Sequence, residues 1–119
     1  MSKIDDLTRL KRTQQAASEA LEFSRGGSRE TLERDRKLTL ALVKEIEIIG
    51  EAAAKVSAAC RERHPQLPWQ QIVGMRNRLI HAYHDVDLAV LWDTVTLSLQ
   101  PLLQAIESII TQEETPSQE

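Results

Sequence analysis

The chain has 119 residues, enough for one domain with a hydrophobic core that needs no covalent staples. Aromatic residues make up only 3% of it, and its single cysteine, Cys60, excludes an internal disulfide and is expected to be apolar filler at a helix end. The net charge of −3 excludes a globally basic nucleic-acid binder, so any polyanion site must be local or shared between two chains.

The first half of the chain predicts two helices separated by a pair of glycines. Apolar residues recur at helical spacing over residues 3–24, and Gly26-Gly27 then interrupts the pattern. The helical period resumes and predicts one long helix from about residue 31 to residue 61. Gly50 lies inside this helix, where it either permits the close approach of another helix or is simply tolerated.

Prolines punctuate the second half of the chain. His64 to Pro68 is predicted to be a loop, because prolines at this spacing cannot continue a helix. A helix is predicted over residues 69–83, and a last helical segment from Leu88, capped by Asp85 or Asp87. Pro101 is expected to kink this segment or to restart it as a further helix.

These elements predict an all-α, four- to five-helix up-and-down bundle over residues 1–111, followed by a polar C-terminal tail over residues 112–119. The sequence contains no Gly-rich phosphate loop and no useful strand-like alternation. The N-terminus is charged from its third residue, and no run approaches the ~18 apolar residues of a membrane span. We therefore expect a cytoplasmic protein without a membrane association.

Residues with chemical potential are concentrated between Met75 and His84. On a helical wheel, Arg76 lies inside an apolar arc, where it is either part of a buried ion pair, with Glu47 or Glu51 as its partner, or an anion-binding group. On one straight helix, Arg76 and His81 would point roughly 140° apart, which is compatible with a site shared by two chains, whereas fraying of the helix after Ile80 would bring them together within one chain.

His81 and Tyr83 each allow two interpretations. His81 is either a solvated histidine or a general acid or base, since its ordinary pKa suits proton transfer near neutral pH. Tyr83 is either a core tyrosine with a satisfied hydroxyl or a group at the mouth of a cleft, where it positions phosphate or is itself modified. His81 and His84 have no third ligand at a useful spacing, so no metal site is predicted.

The pattern Arg76-x4-His81-x-Tyr83 resembles the R-x4-6-H motif of HEPN domains, in the R-x4-H-x-Y form of HepT toxins. The resemblance extends over roughly residues 30–105 through several flanking stretches. These are Glu47-Ile48-Ile49-Gly50-Glu51-Ala52-Ala53, Arg61-Glu62-Arg63-His64-Pro65, Pro68-Trp69, Val86-Asp87-Leu88, Val90-Leu91-Trp92 and Leu99-Gln100-Pro101-Leu102-Leu103.

The resemblance implies a homodimeric, metal-independent and cofactor-free ribonuclease toxin that cleaves RNA such as a tRNA or an mRNA. It implies that Arg76 stabilises charge on the phosphoryl oxygens and that His81 transfers the proton. We expect Asn77 to orient His81 or to bind phosphate, and Arg78, on the outer face, to contact the RNA backbone.

The resemblance also implies a protein partner, a minimal nucleotidyltransferase antitoxin of the MntA type that adds AMP to Tyr83. Two alternatives remain at this stage. The chain could be a non-catalytic helical module that binds such a nucleotidyltransferase, or a structural bundle in which Arg76 is an internal ion pair.

Overall fold

The computed structural model describes residues 3–80 and 85–115. His81, Tyr83 and His84 therefore lie outside the described residues, as does the end of the predicted tail. In chain order, the helices are α1 (Lys3–Ser24), α2 (Arg29–Arg34), α3 (Arg36–Ala54), α4 (Ala58–Arg63), α5 (Trp69–Val73), α6 (Met75–Leu79), α7 (Leu88–Asp93) and, after a π-helical turn at Thr94–Ser98, α8 (Leu99–Glu114).

The long helices α1, α3 and α8 build the core of the bundle. α1 packs along α3 and also against α8, and the apolar side chains that these helices share are fully buried. The most completely buried include Leu10, Leu42, Ile46, Ile49, Ile106 and Ile109. The prediction of an all-α bundle is confirmed, since the described residues contain no strand and only one isolated bridge. None of their helices has both the length and the apolar character needed to span a membrane.

The prediction of one continuous helix over residues 31–61 is wrong, because polar caps divide it twice. The Asp35 side chain accepts a hydrogen bond from the Leu38 amide at 3.0 Å and starts α3. The Ser57 hydroxyl accepts one from the Cys60 amide at 3.2 Å and starts α4. Ser57 is itself fixed from α1, since its amide and its hydroxyl donate to the Asp6 carboxylate at 2.8 and 2.7 Å.

Arg61 fastens the end of α3 to the start of α5. Its Nη2 donates to the carbonyl oxygens of Ala53 and Ala54 at 2.9 and 2.8 Å, which satisfies acceptors that the end of a helix leaves open. The guanidinium carbon lies 5.8 Å from the centroid of the Trp69 ring, within the range of a cation–π contact. The orientation of α5 is therefore coupled to the end of α3.

Gly50 permits the close approach that its position in α3 suggested. A Cβ at residue 50 would lie 3.1 Å from the carbonyl oxygen of Val73, the last residue of α5. That is tighter than ordinary Cβ contacts and the obstacle is backbone, so a larger residue would push α5 away from α3.

The prediction of a helix over residues 69–83 is wrong within the described residues. Gly74, with a ψ of 1°, separates α5 from α6, and Ile80 is extended, with φ −115° and ψ 120°. Ile80 pairs with Val86 in an antiparallel bridge, and the Asp87 amide donates to the Leu79 carbonyl at 2.7 Å. The returning chain therefore ends α6, and the angle that a straight helix would set between Arg76 and His81 does not apply.

The last helical segment begins and restarts close to the predicted positions. Asp87 caps α7, since its Oδ1 accepts a hydrogen bond from the Val90 amide at 3.0 Å. Pro101 lies in the first turn of α8, directly after the π-helical turn, where its missing N–H costs little. α8 then extends to Glu114, three residues into the segment predicted as a polar tail.

We expect Glu113 to be the main electrostatic support of the C-terminal end of α8. Arg63 and His64 donate hydrogen bonds to this buried carboxylate and hold its pKa at about 2, although burial opposes the shift. Stabilisation from a lowered carboxyl pKa is present above the ordinary value of 4.5 and is lost as the pH falls toward 2.

Glu113→Gln should accordingly lower the free energy of unfolding at pH 7 by about 1–3 kcal/mol, and by less at pH 3. Urea denaturation at the two pH values measures this difference. The matched control is Glu114→Gln, since Glu114 forms only an exposed ion pair with Lys11 and should change stability by less than about 1 kcal/mol. Equal effects of the two substitutions would contradict the prediction.

Glu45 should have the opposite effect on stability. It is buried where α3 faces α1, and burial, reinforced by the neighbouring Glu19, raises its pKa to about 7. The folded chain holds a proton that the unfolded chain releases above 4.5, so the stability falls as the pH rises from 4.5 to 7. Glu45→Gln should stabilise the fold by about 1–3 kcal/mol at pH 8 and by much less at pH 5. A thermal melt at each pH checks this, and a gain independent of pH would refute it.

Candidate active site

An open cavity of about 350 Å³ lies between α3 and the α5–α6 junction. It is located beside the Gly50–Val73 contact, so backbone geometry sets the distance between its two walls. The α3 wall consists of Glu47, Gly50, Glu51 and Ala54, and the opposite wall of Val73, Arg76 and Asn77. Two of the predicted site residues, Arg76 and Asn77, therefore share one cavity.

Arg76 is ion-paired across this cavity by one edge of its guanidinium. Its Nε lies 3.2 Å from Oε2 of Glu47, and among the described residues neither of its Nη atoms has a hydrogen-bond partner. The side chains are 38% and 28% exposed, so the pair lines a surface cavity and is not internal. The wheel placed Arg76 inside an apolar arc because it assumed one helix, and the break at Gly74 removes that assumption.

Glu47 is thus one of the two carboxylates that the ion-pair alternative named. The other, Glu51, is exposed and also lines the cavity, but it has no recorded partner within the described residues. Among the residues that the structure describes, the lining of the cavity in one chain therefore contains two carboxylates and one guanidinium. The charge of these three groups does not favour a polyanion.

Arg78 does not join Arg76, although the two are close in sequence. It is exposed on the outer side of α6, as expected, and lines a separate and largely apolar groove with Met75, Ser98 and Pro101. Arg76 and Arg78, the only Lys or Arg residues after His64, therefore face different surfaces. Asn77 is exposed and belongs to the surface that carries Arg76.

The predicted residues His81 and Tyr83 lie outside the described residues, but the chain on either side of them is placed. It leaves α6 at Ile80 and returns at Val86, and the bridge between these two residues brings both ends together. This junction follows Arg76 by about one turn of helix. The motif therefore starts on a helix and continues past its end.

A second cluster of chemically capable residues lies away from this cavity and has no signal in the sequence spacing. Ligand-type atoms of Cys60, His64 and Glu113, all buried, lie within 4.8 Å of one another. The Glu113 oxygens are already engaged, by Arg63 Nη2 at 2.8 Å and Nε at 3.0 Å and by His64 Nε2 at 2.6 Å. Burial raises the pKa of the Cys60 thiol to about 11, so in the metal-free chain the thiol is protonated and is not an activated nucleophile at neutral pH. The cluster joins α4 to α8 and is a structural network.

Comparison with known proteins identifies the family. The family model described as "Ribonuclease HepT-like" matches residues 13–109. The chain belongs to the HepT-like ribonuclease family. The assignment to the HEPN class and to endoribonucleases, made from the Arg76-x4-His81-x-Tyr83 pattern and its flanks, is thereby confirmed.

Curated relatives agree with this assignment over most of their length. "Probable ribonuclease HepT" of Thermococcus cleftensis is 38% identical over 74% of this chain and 80% of its own. A relative from Caldanaerobacter subterraneus subsp. tengcongensis, whose name describes it as a candidate RNase, is 37% identical over 78% of this chain and 83% of its own. Another from Methanocaldococcus jannaschii is 30% identical over 92% of this chain and its whole length. No solved structure matches the chain.

Proposed function

We propose that this HepT-like ribonuclease is the toxin of a toxin–antitoxin pair and cleaves RNA without a metal ion at a cleft shared by two copies of the chain. The observation that carries the proposal is the state of Arg76. Its guanidinium is held at Nε and lines an open cavity, while its two terminal nitrogens have no partner among the described residues. A planar fork with free donors suits a phosphate group.

In the proposed reaction, His81 removes the proton from a ribose 2′-OH. The 2′-oxygen attacks the adjacent phosphorus, and the bond to the 5′-oxygen of the next nucleotide breaks as that oxygen is protonated. Arg76 stabilises the charge that develops on the non-bridging phosphoryl oxygens. Asn77, on the same surface, orients His81 or donates to phosphate, and Arg78 contacts the backbone farther from the break. The need for a 2′-OH makes RNA the substrate.

Two copies suit this chemistry better than one. The reaction needs a base for the 2′-OH and an acid for the leaving 5′-oxygen, and each chain has one His81. A two-fold cleft supplies a second imidazole and a second Arg76. The second guanidinium also adds positive charge and hydrogen-bond donors, since the described lining of one cavity has one cation and two carboxylates.

Silencing is proposed to occur on Tyr83, two residues from His81. A nucleotidyltransferase antitoxin of the MntA type would transfer AMP from ATP to the phenol oxygen and release pyrophosphate. The phosphodiester that results carries negative charge and bulk, so it would repel and block the RNA backbone.

A second candidate function is a non-catalytic module that binds such a nucleotidyltransferase. The excess of carboxylates around Arg76 favours this function, because a single cavity does not attract RNA. The two functions differ in whether Arg76 and His81 are needed for RNA cleavage.

We expect expression of the wild type without a partner to arrest growth and to cleave cellular RNA, and both Arg76→Ala and His81→Ala to lose at least about 100-fold of the cleavage rate. Growth, total-RNA integrity and cleavage by the purified protein in EDTA measure this. Arg76→Ala should fold normally, because a half-exposed ion pair contributes less than about 1 kcal/mol. Arg25→Ala, which removes an exposed ion pair with Glu22, is the control for loss of a surface arginine.

Intact RNA and normal growth with all of these proteins, despite soluble expression, would reject the nuclease and favour the binding module. Cleavage that EDTA abolishes and added metal restores would reject metal independence alone.

We further expect that incubation with ATP and an MntA-type nucleotidyltransferase adds the mass of one AMP group to the peptide that contains Tyr83 and reduces cleavage. Intact-protein and peptide mass spectrometry detect the addition. Tyr83→Phe, which lacks only the acceptor hydroxyl, should neither gain this mass nor lose activity on incubation. Addition of AMP to Tyr83→Phe would show that another residue is the acceptor.

A further inference from the structure

Glu47 contacts the guanidinium of Arg76 at the edge that a phosphate group does not need. From this contact we infer that Glu47 is a positioning residue, which fixes the plane of the guanidinium and presents its terminal nitrogens to the RNA phosphate. The inference rests on the proposed nuclease function and adds to it a residue outside the R-x4-H-x-Y pattern.

The geometry of the contact distinguishes positioning from simple neutralisation. A guanidinium has five N–H donors, one on Nε and four on the two Nη atoms. The Glu47 Oε2 takes the Nε donor at 3.2 Å, and within the described residues the Nη donors are unoccupied. A carboxylate on the Nη pair would compete with phosphate for the same fork, whereas one on Nε orients the fork and leaves it open.

The side chain of Glu47 is itself held on a rigid support. It projects from α3 between Ile46, which is fully buried, and the partly buried Ile48, so this turn is fixed by the core. One turn later, Gly50 lies against the end of α5, and a Cβ there would meet the Val73 oxygen at 3.1 Å. The backbones that carry Glu47 and Arg76 are therefore fixed relative to each other close to the ion pair.

Stability gives little reason for this pair, because both partners are partly exposed and such pairs contribute little to folding. Its electrostatic effect on RNA binding is unfavourable, since a carboxylate repels phosphate. Orientation is the remaining benefit, and misplacement of a catalytic group by about 1 Å can cost a factor of ~100 in rate.

Glu51 provides a matched control for the charge of Glu47. It lies one helical turn farther along α3 and lines the same cavity, but it has no recorded partner among the described residues. Removal of either carboxylate changes the charge of the cavity by the same amount. A role that depends on charge alone therefore predicts the same result for Glu47→Ala and Glu51→Ala.

The experiment measures single-turnover cleavage of total cellular RNA by the purified full-length protein, and it separates the maximal rate from the protein concentration at half-maximal rate. We expect Glu47→Ala to lower the maximal rate by roughly 10- to 100-fold, with the half-saturating concentration unchanged or lower. Glu47→Gln keeps an oxygen that can accept from Nε and should recover part of the rate. Glu51→Ala should not lower the maximal rate, and it should lower the half-saturating concentration because it removes repulsion.

A second measurement does not require RNA cleavage, and a change in the folding of one variant does not account for its result. The NMR signal of the Arg76 Nε–H should be protected from exchange with water in the wild type and in Glu51→Ala, and should lose that protection in Glu47→Ala. Assignment of the signal by its absence in Arg76→Ala makes this comparison direct.

Cleavage by the wild type that Arg76→Ala abolishes and Glu47→Ala retains would overturn the role of Glu47 and leave the nuclease intact. Equal increases in apparent RNA affinity for Glu47→Ala and Glu51→Ala, with no loss of maximal rate, would do the same. Absence of cleavage by the wild type would overturn the nuclease proposal and the positioning role together.

Discussion

The contact between Gly50 and the end of α5 is the constraint on which the candidate site depends. The carbonyl oxygen of Val73 occupies space that a side chain at residue 50 would need, so α5 can end against the flank of α3. Glu47 lies one turn before this contact on α3, and Arg76 lies three residues beyond it on the other side. A larger residue at position 50 would require the end of α5 to shift away from α3, and this shift would change the separation of the two cavity walls.

Two further sets of contacts keep this arrangement in place. Arg61 binds the last carbonyl groups of α3 and contacts Trp69 at the start of α5, so α5 is attached to α3 at both of its ends. Glu113 binds Arg63 and His64 and thereby connects the segment that precedes α5 to α8. A short helix of five residues has little stability of its own, and these polar contacts orient it as much as its apolar face does.

Local signals in the sequence predicted much of this fold, and the features that they missed are interruptions of the helical pattern. The cap of α7 was left open between Asp85 and Asp87, and Gly50 was left open between close approach and simple tolerance. The helical period could be read locally. The breaks at Asp35 and Ser57 could not, because apolar periodicity continues on both sides of each cap. Similarly, α6 ends at Leu79 because the chain returns and the Asp87 amide donates a hydrogen bond to the Leu79 carbonyl. No residue within α6 predicts this contact.

The candidate site could be predicted in part. The motif pattern selected Arg76, the position four residues before His81 selected Asn77, and the need to compensate a guanidinium suggested Glu47 or Glu51 as the partner of Arg76. The choice between these two required the relative placement of α3 and α6, because Glu47 and Arg76 are 29 residues apart in the sequence. The separation of Arg78 from Arg76 was expected, because residues two apart on one helix do not share a face. In the network of Cys60, His64 and Glu113, Glu113 lies about 50 positions from the other two, so spacing gave no signal for its part in the network.

An acidic cavity is compatible with a ribonuclease, because catalysis depends on how much more tightly the enzyme binds the transition state than the substrate. Interactions that bind both equally do not accelerate the chemical step, whereas interactions that strengthen as charge develops do. Glu47 offsets part of the charge of Arg76, which weakens its attraction for a phosphodiester in the ground state. The Nη donors, which have no acceptor among the described residues, can form directional hydrogen bonds to the phosphoryl oxygens, and these strengthen as negative charge accumulates there. In the proposed nuclease, weak binding of RNA by a single chain and effective stabilisation of the transition state are therefore consequences of the same ion pair.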